Sequence, residues 1–260
     1  MARADTFSEL GYEIVQGNMS VLVGLREHFY REAMIQLGEE LALPFPSYAG
    51  RLQVESFFNN FHRQIYRNPI THGGITGTVL NGLRLGLQRS LAKHVGPALF
   101  AAFPRIAELV GADVVQQKGC NLVIAMPGDS EHAPTHRDAP LNSNFEVVCW
   151  TPLVTCFGTK SMAILDKNQT QAALDILMQQ GYDAYAQYAH EVGTALDIPF
   201  GSACLFWAGL VHTVPTNQTD ETRWSLNHRF KNYWAPYGEK GSGYFELLKL
   251  SPLTEVGIGP

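Results

Sequence analysis

Three residues of this chain could together bind a redox-active metal ion. His136 and Asp138 are two positions apart, so on an extended strand both side chains would point to one side and Arg137 to the other. His212 need only come from a neighbouring strand to complete the set. Two imidazoles and one carboxylate form the facial triad that suits non-haem Fe(II) and leaves positions open for a co-substrate and O2. Ligand type alone does not exclude Zn(II).

Three apolar segments are predicted to be the strands that position these residues. They are residues 119–126, 145–150 and 202–207, each rich in strand-forming apolar side chains. Residues 127–129, Pro-Gly-Asp, predict a turn between the first strand and the segment of His136. The third strand leads almost directly to the distal histidine. Each candidate ligand is therefore expected at a strand end or in a loop beside an apolar strand.

The first hundred residues predict helices that support this β-region. Apolar residues recur near helical spacing in four segments, and Ser20 is the expected N-cap of the first. The segments are residues 20–38, 50–67, 78–94 and 97–110. The glycine-rich stretch at residues 71–77 predicts a turn or a mobile loop, with a lid over the substrate as the alternative.

The order of these residues resembles that of the Fe(II)- and 2-oxoglutarate-dependent dioxygenases, over roughly residues 113–230. It runs through His136-x-Asp138, Gly201-Ser202 opening a strand into His212, Asn217 and Arg223-x-Ser225. Within these enzymes the chain is most similar to the phytanoyl-CoA-dioxygenase-like branch, where a basic residue shortly after the distal histidine binds the co-substrate. Here that distance is 223 − 212 = 11 residues. Residues 142–162 also resemble oxygenases found sporadically in bacterial carbohydrate and secondary-metabolite clusters, which implies a biosynthetic role.

The resemblance implies a set of ligands and co-substrates. His136, Asp138 and His212 would bind Fe(II), and 2-oxoglutarate and O2 would be co-substrates, with release of succinate and CO2. Arg223 would pair with the far carboxylate of 2-oxoglutarate, because a planar guanidinium binds a carboxylate through two parallel hydrogen bonds. Ser225 has the same strand parity and would add a hydroxyl.

The sequence does not assign a single role to Arg229 or to Asn121. Arg229 shares the strand parity of Arg223 and competes for the carboxylate, so the assignment to Arg223 rests on the family spacing. Asn121 lies on the strand before the metal dipeptide. Its amide could bind the co-substrate or the substrate, or it could equally satisfy backbone groups.

The implied fold is a double-stranded β-helix, a jelly-roll core of two facing antiparallel sheets with helices packed outside and the metal at one mouth. One oxygenase domain over residues 1–260 is expected. Its parts would be helical support at 1–112, the core at 113–230 with a helical insertion at about 168–191, and a C-terminal extension at 231–260. The insertion could frame the substrate entrance or make a homodimer contact.

The implied reaction is oxidation of a C–H bond, most simply hydroxylation. Desaturation, epimerisation and ring formation stay open, whereas Asp138 argues against halogenation because halogenating relatives carry a small residue in its place. Polar and aromatic residues near the strand ends predict a polar substrate such as a sugar, an amino acid or a modified natural product. These residues are Arg137, Asn142, Asn144, Trp150, Lys160 and Trp207.

Composition narrows the class of partner. The net charge of −5 and scattered Lys and Arg residues argue against nucleic acid or an anionic membrane and favour a small molecule. Four cysteines without a Cys-x-x-Cys motif predict reduced thiols. The N-terminus has no signal-peptide core and no apolar run of membrane-spanning length occurs, so a cytoplasmic protein is expected.

Two other classes of protein could use the same three ligands. One is a cupin-like metal-binding protein or non-oxidative isomerase, and the other is a degenerate oxygenase that acts as a binding module. Arg223-x-Ser225 discriminates against the first, which needs no carboxylate clamp at that position. The intact ligand set argues against the second.

Overall fold

The chain is described by a computed structural model over residues 5–37, 48–63, 82–90, 102–128 and 134–258, with the backbone alone at 37 and 48–53. The predicted loop at residues 71–77 lies outside these ranges. Within them the fold is mainly antiparallel β-sheet with helices. None of the described helices is both long and apolar enough to cross a membrane.

Most of the described helices lie in the first half of the chain and most of the strands in the second half. The helices are α1 (Thr6–Leu10), α2 (Met19–Leu37), α3 (Tyr48–Asn59), α4 (Phe103–Val110), α5 (Lys167–Gln180), α6 (Tyr182–Val192) and α7 (Pro252–Ile258), and residues 61–63 and 82–90 are also helical. The strands are β1 (Tyr12–Gln16), β2 (Val114–Gln117), β3 (Asn121–Ala125), β4 (Glu146–Pro152), β5 (Ala163–Ile164), β6 (Thr194–Ala195), β7 (Ser202–Trp207), β8 (His212–Thr213), β9 (Arg223–Asn232) and β10 (Phe245–Lys249).

The strands form two antiparallel sheets in the described part of the chain. The larger has the order β1-β7-β4-β9-β2-β10, with β3 also paired to β9. β9 is long enough to pair with β4 along one edge, while β3 and β2 share its other edge. The smaller sheet has the order β6-β5-β8 and carries His212. This pairing leaves the closure of the two sheets into a double-stranded β-helix as a prediction.

Successive residues of β9 face two different environments, as the period of two in a strand requires. Trp224 is fully buried and packs against aromatic rings of α3 and the residues that follow it, with ring centroids 4.9 Å from Phe58 and 4.7 Å from Phe61. The indole also donates a 3.1 Å hydrogen bond from Nε1 to the Phe58 carbonyl. The neighbouring Arg223 and Ser225 line a cavity on the other face. The aromatic contact therefore fixes which side of β9 faces the cavity.

The predicted strands occur with small shifts in their ends. Helix also occurs in the described parts of the four predicted helical segments, whose residues 38, 64–67, 78–81, 91–94 and 97–101 lie outside the described ranges. The segment at 202–207 is a strand with those bounds, and strands also lie within 119–126 and over most of 145–150. The prediction that Ser20 caps α2 is wrong, because the helix already begins at Met19. The Oδ1 atom of Asn18 accepts from the Val21 amide at 3.4 Å and from the Ser20 hydroxyl at 2.7 Å. All four cysteines are buried free thiols.

The predicted insertion forms a pair of helices, α5 and α6, that braces both histidine segments. A reciprocal capping box starts α5: Asp166 accepts from the Gln169 amide at 2.8 Å, and the Gln169 side chain accepts from the Asp166 amide at 2.9 Å. Thr170 accepts a 3.1 Å hydrogen bond from the amide of Val211, next to the distal histidine. The Tyr182 hydroxyl donates to the Thr135 carbonyl at 3.2 Å.

We predict that Phe58→Ala will lower the free energy of unfolding by about 3–5 kcal/mol, the usual cost of removing a buried phenyl ring. The ring is fully buried against Trp224, so the substitution leaves a cavity behind β9. Phe145, whose side chain is 60% exposed, is the matched control, and Phe145→Ala should stay within about 0.5 kcal/mol of wild type. Chemical denaturation measures both, and equal losses would contradict the packing described.

Candidate functional site

His136, Asp138 and His212 form the one group of metal-ligating side chains that the described residues bring together. Their ligand atoms all lie within 4.8 Å of one another. The two histidines pair through backbone hydrogen bonds of 3.1 and 2.9 Å in an isolated bridge, and their ring centroids are 4.3 Å apart. Among the described residues this bridge is the β-pairing of His136, and Asp138 lies in the bend that follows, so the two residues occupy a loop beside a strand and not an extended strand of their own.

Backbone carbonyls orient both imidazole rings. The Nδ1 atom of His136 lies 2.7 Å from the Pro134 carbonyl, and that of His212 lies 3.1 Å from the Leu210 carbonyl. A carbonyl only accepts, so each Nδ1 carries the proton and each Nε2 is left to bind a metal. Burial and the nearby His136 lower the pKa of His212 to about 4, so its ring is neutral at neutral pH, as ligation requires.

Asp138 is 8% exposed and pairs with the equally buried Arg229. Arg229 donates from Nη2 to both carboxylate oxygens at 2.8 Å and from Nε to Oδ2 at 3.1 Å. Burial alone would raise the pKa of Asp138, but Arg229 and the two histidines outweigh it and lower that pKa. The carboxylate is therefore ionised. Two imidazoles and one carboxylate fit a non-haem Fe(II) ion.

The three residues open into a cavity of about 290 Å³. This volume is near the lower end of the range for small-molecule sites, about 300–1,000 Å³. The cavity is also lined by Arg84, Asn121, Leu122, Val123, Trp150, Met162, Phe206, Val214, Arg223, Ser225, Asn227 and Arg229. Nine of the fifteen lining residues are polar or charged and six are apolar or aromatic, so the cavity offers hydrogen-bonding and charged groups beside apolar walls.

Arg223 and Ser225 both line this cavity, and each has a buried polar atom that makes no hydrogen bond to the described part of the chain. Arg223 is 2% exposed, donates from Nη1 to the Ser161 carbonyl at 3.2 Å, and leaves Nε without a partner. The Ser225 hydroxyl is also buried without a hydrogen bond. Among the described residues no carboxylate pairs with Arg223. A buried cation without a counter-ion is costly, so this corner of the cavity is suited to an anion.

Asn121 lies in the same cavity, directly opposite Asn227 in the β3–β9 register. Trp150 also lines the cavity. The other predicted pocket residues do not line it. Lys160 is buried in an ion pair with Glu221 at 2.5 Å, and the Trp207 indole donates from Nε1 to the Asn144 carbonyl at 2.6 Å. Arg137 and Asn142 likewise lie outside the lining.

Three polar residues of the site were missed by sequence reasoning: Arg84, which lies in a segment predicted only as a supporting helix, Asn227 and Gln117. Asn227 lies between Ser225 and Arg229 on one strand face, so the period of two that selected its neighbours could have found it. Gln117, on β2, accepts a 3.0 Å hydrogen bond at Oε1 from Nη1 of Arg229. No local signal in the sequence distinguishes Gln117 from the adjacent Gln116.

We predict that His212→Ala will weaken binding of Co(II) or Ni(II) by more than about 100-fold, because losing a ligand exceeds the loss of about 10–100-fold that follows removal of an outer partner. Isothermal titration of the metal-free protein measures the dissociation constant. The control is His190→Ala, an exposed histidine on α6, which should bind metal as the wild type does. Equal affinities for the two variants would contradict ligation by His212.

No protein-family model matches the chain, and no curated protein matches it. Among solved structures, the nickel complex of the non-heme monooxygenase ThoJ is 15% identical with a TM-score of 0.53, and the match covers 94% of this chain and 82% of ThoJ. The apo form of ThoJ gives 13% identity and a TM-score of 0.52 over the same shares. The non-heme alpha ketoglutarate dependent carbocyclase SnoK, from nogalamycin biosynthesis, gives 12% and 0.48, covering 90% of this chain and 84% of its own. The likeness to ThoJ shows a shared fold.

Proposed function

We propose that this chain is a non-haem Fe(II)- and 2-oxoglutarate-dependent oxygenase that acts on a small polar metabolite. The observation that carries the proposal is the buried Arg223 guanidinium, which faces the same cavity as His136, Asp138 and His212 and has no carboxylate partner among the described residues. A metal-binding triad alone fits several functions. A triad together with an unpaired buried cation calls for an anionic ligand beside the metal.

2-Oxoglutarate satisfies both requirements because it can chelate a metal at one end and carries a second carboxylate at the other. Arg223 would bind that far carboxylate, and the partnerless hydroxyl of Ser225 would donate to it. When bound, Fe(II) would supply the coupling of O2 reduction to decarboxylation of 2-oxoglutarate to succinate and CO2. The chain's own contribution is to hold these groups in place and to exclude water with side chains such as Trp150, Met162 and Phe206.

Arg223 is the better candidate for the carboxylate clamp. Arg229, its competitor, already uses Nε and Nη2 on Asp138 and Nη1 on Gln117. Binding a second carboxylate through Arg229 would break these contacts. Arg223 makes one hydrogen bond through Nη1 and has its Nε atom free. The 11-residue spacing from His212, which resembles the phytanoyl-CoA-dioxygenase-like branch, supports the same assignment.

The substrate is proposed to be small and to carry hydrogen-bonding groups. A cavity of about 290 Å³ leaves little room for a long acyl chain, and Asn121 and Asn227 offer amide donors and acceptors on one wall. Hydroxylation is the proposed reaction, carried out by a single domain with a double-stranded β-helix core. ThoJ, which shares the fold, is described as a non-heme monooxygenase and has been solved with nickel, in agreement with a metal-dependent oxidation.

A cupin-like, non-oxidative protein is the second candidate function. It would explain the triad, but it would leave Arg223 buried beside the metal without a ligand to neutralise it. Because an uncompensated buried charge is strongly destabilising, a dedicated anion fits the site better.

We predict that anaerobic addition of Fe(II) and 2-oxoglutarate will give the weak visible charge-transfer band of the chelate, and that O2 will then yield succinate. Arg223→Met should raise the dissociation constant of 2-oxoglutarate by at least about 30-fold, because truncating one partner of a buried charge pair costs about 2–5 kcal/mol. Titration of the band measures this constant.

The control for this experiment is Arg105→Met. Arg105 forms surface ion pairs with Asp5 and Glu13, away from the cavity, so this variant should keep the wild-type constant. No band in the wild type and no succinate after O2 would reject the proposed function. A band that survives Arg223→Met unchanged would reject the clamp alone.

We predict that Ser225→Ala will raise the dissociation constant of 2-oxoglutarate by about 2- to 12-fold, equivalent to one net hydrogen bond of about 0.5–1.5 kcal/mol. Ser225 lines the cavity and its hydroxyl has no hydrogen bond to any described residue, so its removal leaves none of them unsatisfied. Ser242→Ala, at an exposed position outside the cavity lining, is the matched control and should change nothing. Tighter binding in Ser225→Ala would show that the hydroxyl does not donate to the co-substrate.

A further inference from the structure

We propose that Arg229, held by Gln117, is a positioning residue that fixes which oxygen of Asp138 is presented to the metal. This inference rests on the metal centre of the proposed function but does not require 2-oxoglutarate. Both ends of the guanidinium are engaged, one by the carboxylate and the other by the Gln117 side chain.

The two oxygens of Asp138 have different surroundings. Oδ2 accepts two hydrogen bonds from Arg229, from Nε at 3.1 Å and from Nη2 at 2.8 Å. Oδ1 accepts one, from Nη2 at 2.8 Å, and lies 3.9 Å from Nε2 of His136. A carboxylate oxygen can accept more than one hydrogen bond, so Oδ1 keeps capacity on the side of the histidines. We infer that Oδ1 is the ligand atom and that Arg229 holds Oδ2 away from the metal.

Gln117 keeps the guanidinium from turning. It is 2% exposed on β2, which pairs with β9 through Gln116 and Phe230, so it lies beside Arg229 in the sheet. Its Oε1 accepts from Nη1 of Arg229 at 3.0 Å. Because the guanidinium is planar and rigid, fixing Nη1 on one side fixes Nε and Nη2 on the other. The orientation of the Asp138 carboxylate is thus set by the sheet rather than by its own loop.

Arg229 has two opposing effects on a bound cation. Its positive charge repels the metal, so removing it would strengthen binding. Its hydrogen bonds hold the carboxylate ready, so removing them would weaken binding and let Asp138 rotate. Outer partners of metal ligands usually favour binding, with losses of about 10–100-fold on mutation. Weaker metal binding after removal of Arg229 would therefore indicate a positioning residue. Stronger binding would indicate only a positive charge that repels the metal.

The test is a Co(II) titration of the full chain without 2-oxoglutarate, followed by the visible d–d bands of the bound ion. Arg229→Met should weaken Co(II) binding by about 10–100-fold and shift the bands, because the carboxylate no longer has one fixed orientation. Arg229→Lys keeps the charge but loses the planar fork, so it should recover only part of the affinity. Gln117→Leu, which leaves Arg229 in place, should give a smaller loss with a band shift in the same direction.

The matched control is Arg26→Met, which removes a buried arginine of α2 that does not line the cavity. It should keep the wild-type Co(II) affinity and spectrum. Circular dichroism establishes that each variant is folded, and if Arg229→Met is not, Arg229→Lys and Gln117→Leu decide the question.

Unchanged or tighter binding with unchanged bands in the Arg229 and Gln117 variants would overturn the inference, as would a wild-type chain that binds no Co(II). Failure of the proposed function has a different outcome. In that case the wild type and its variants show the expected Co(II) behaviour, but no chelate band forms with Fe(II) and 2-oxoglutarate.

Discussion

The two faces of strand β9 lie in environments with opposite chemical requirements, one apolar and the other polar. On one face Trp224 must be buried among the aromatic rings of Phe58 and Phe61, and on the other Arg223 and Arg229 must reach a polar cavity. A register shift of one residue would place two arginines in the aromatic core and the indole against the metal site. Since both errors are costly, the packing of the helices and the chemistry of the cavity enforce the same register.

The groups that hold the three ligand side chains in place are distant from one another in the sequence. The bridge between His136 and His212 sets the spacing of the two rings, and carbonyls two residues earlier set their orientation. The carboxylate of Asp138 is held from β9, 91 residues away in sequence. His136 and His212 lie in a single bridge and a two-residue strand, so the geometry of the ligands depends on the assembled sheets.

The sequence allowed the strands to be predicted because apolar runs and turn residues are local signals. β7 has the predicted bounds, and the period of two correctly predicts that Arg223, Ser225 and Arg229 share one face of β9. The pairing of Arg229 with Asp138 could not be predicted in this way, since it depends on a loop crossing a strand far along the chain. Gln117 was missed for the same reason. Local periodicity indicates which way a side chain points but not which group it meets.

The helices α5 and α6 have two sides with different roles. The inner side supports the two histidine segments, and the outer side is exposed. Their inner sides form a small core with Leu165 and Val211 and donate or accept the bonds that hold the two histidine segments. Their outer side exposes residues such as Met178, which is 86% exposed and takes no part in that core. Substitutions on the outer side are therefore free to change the charge and shape of this surface without moving the metal site, whereas a substitution on the inner side would displace a histidine segment.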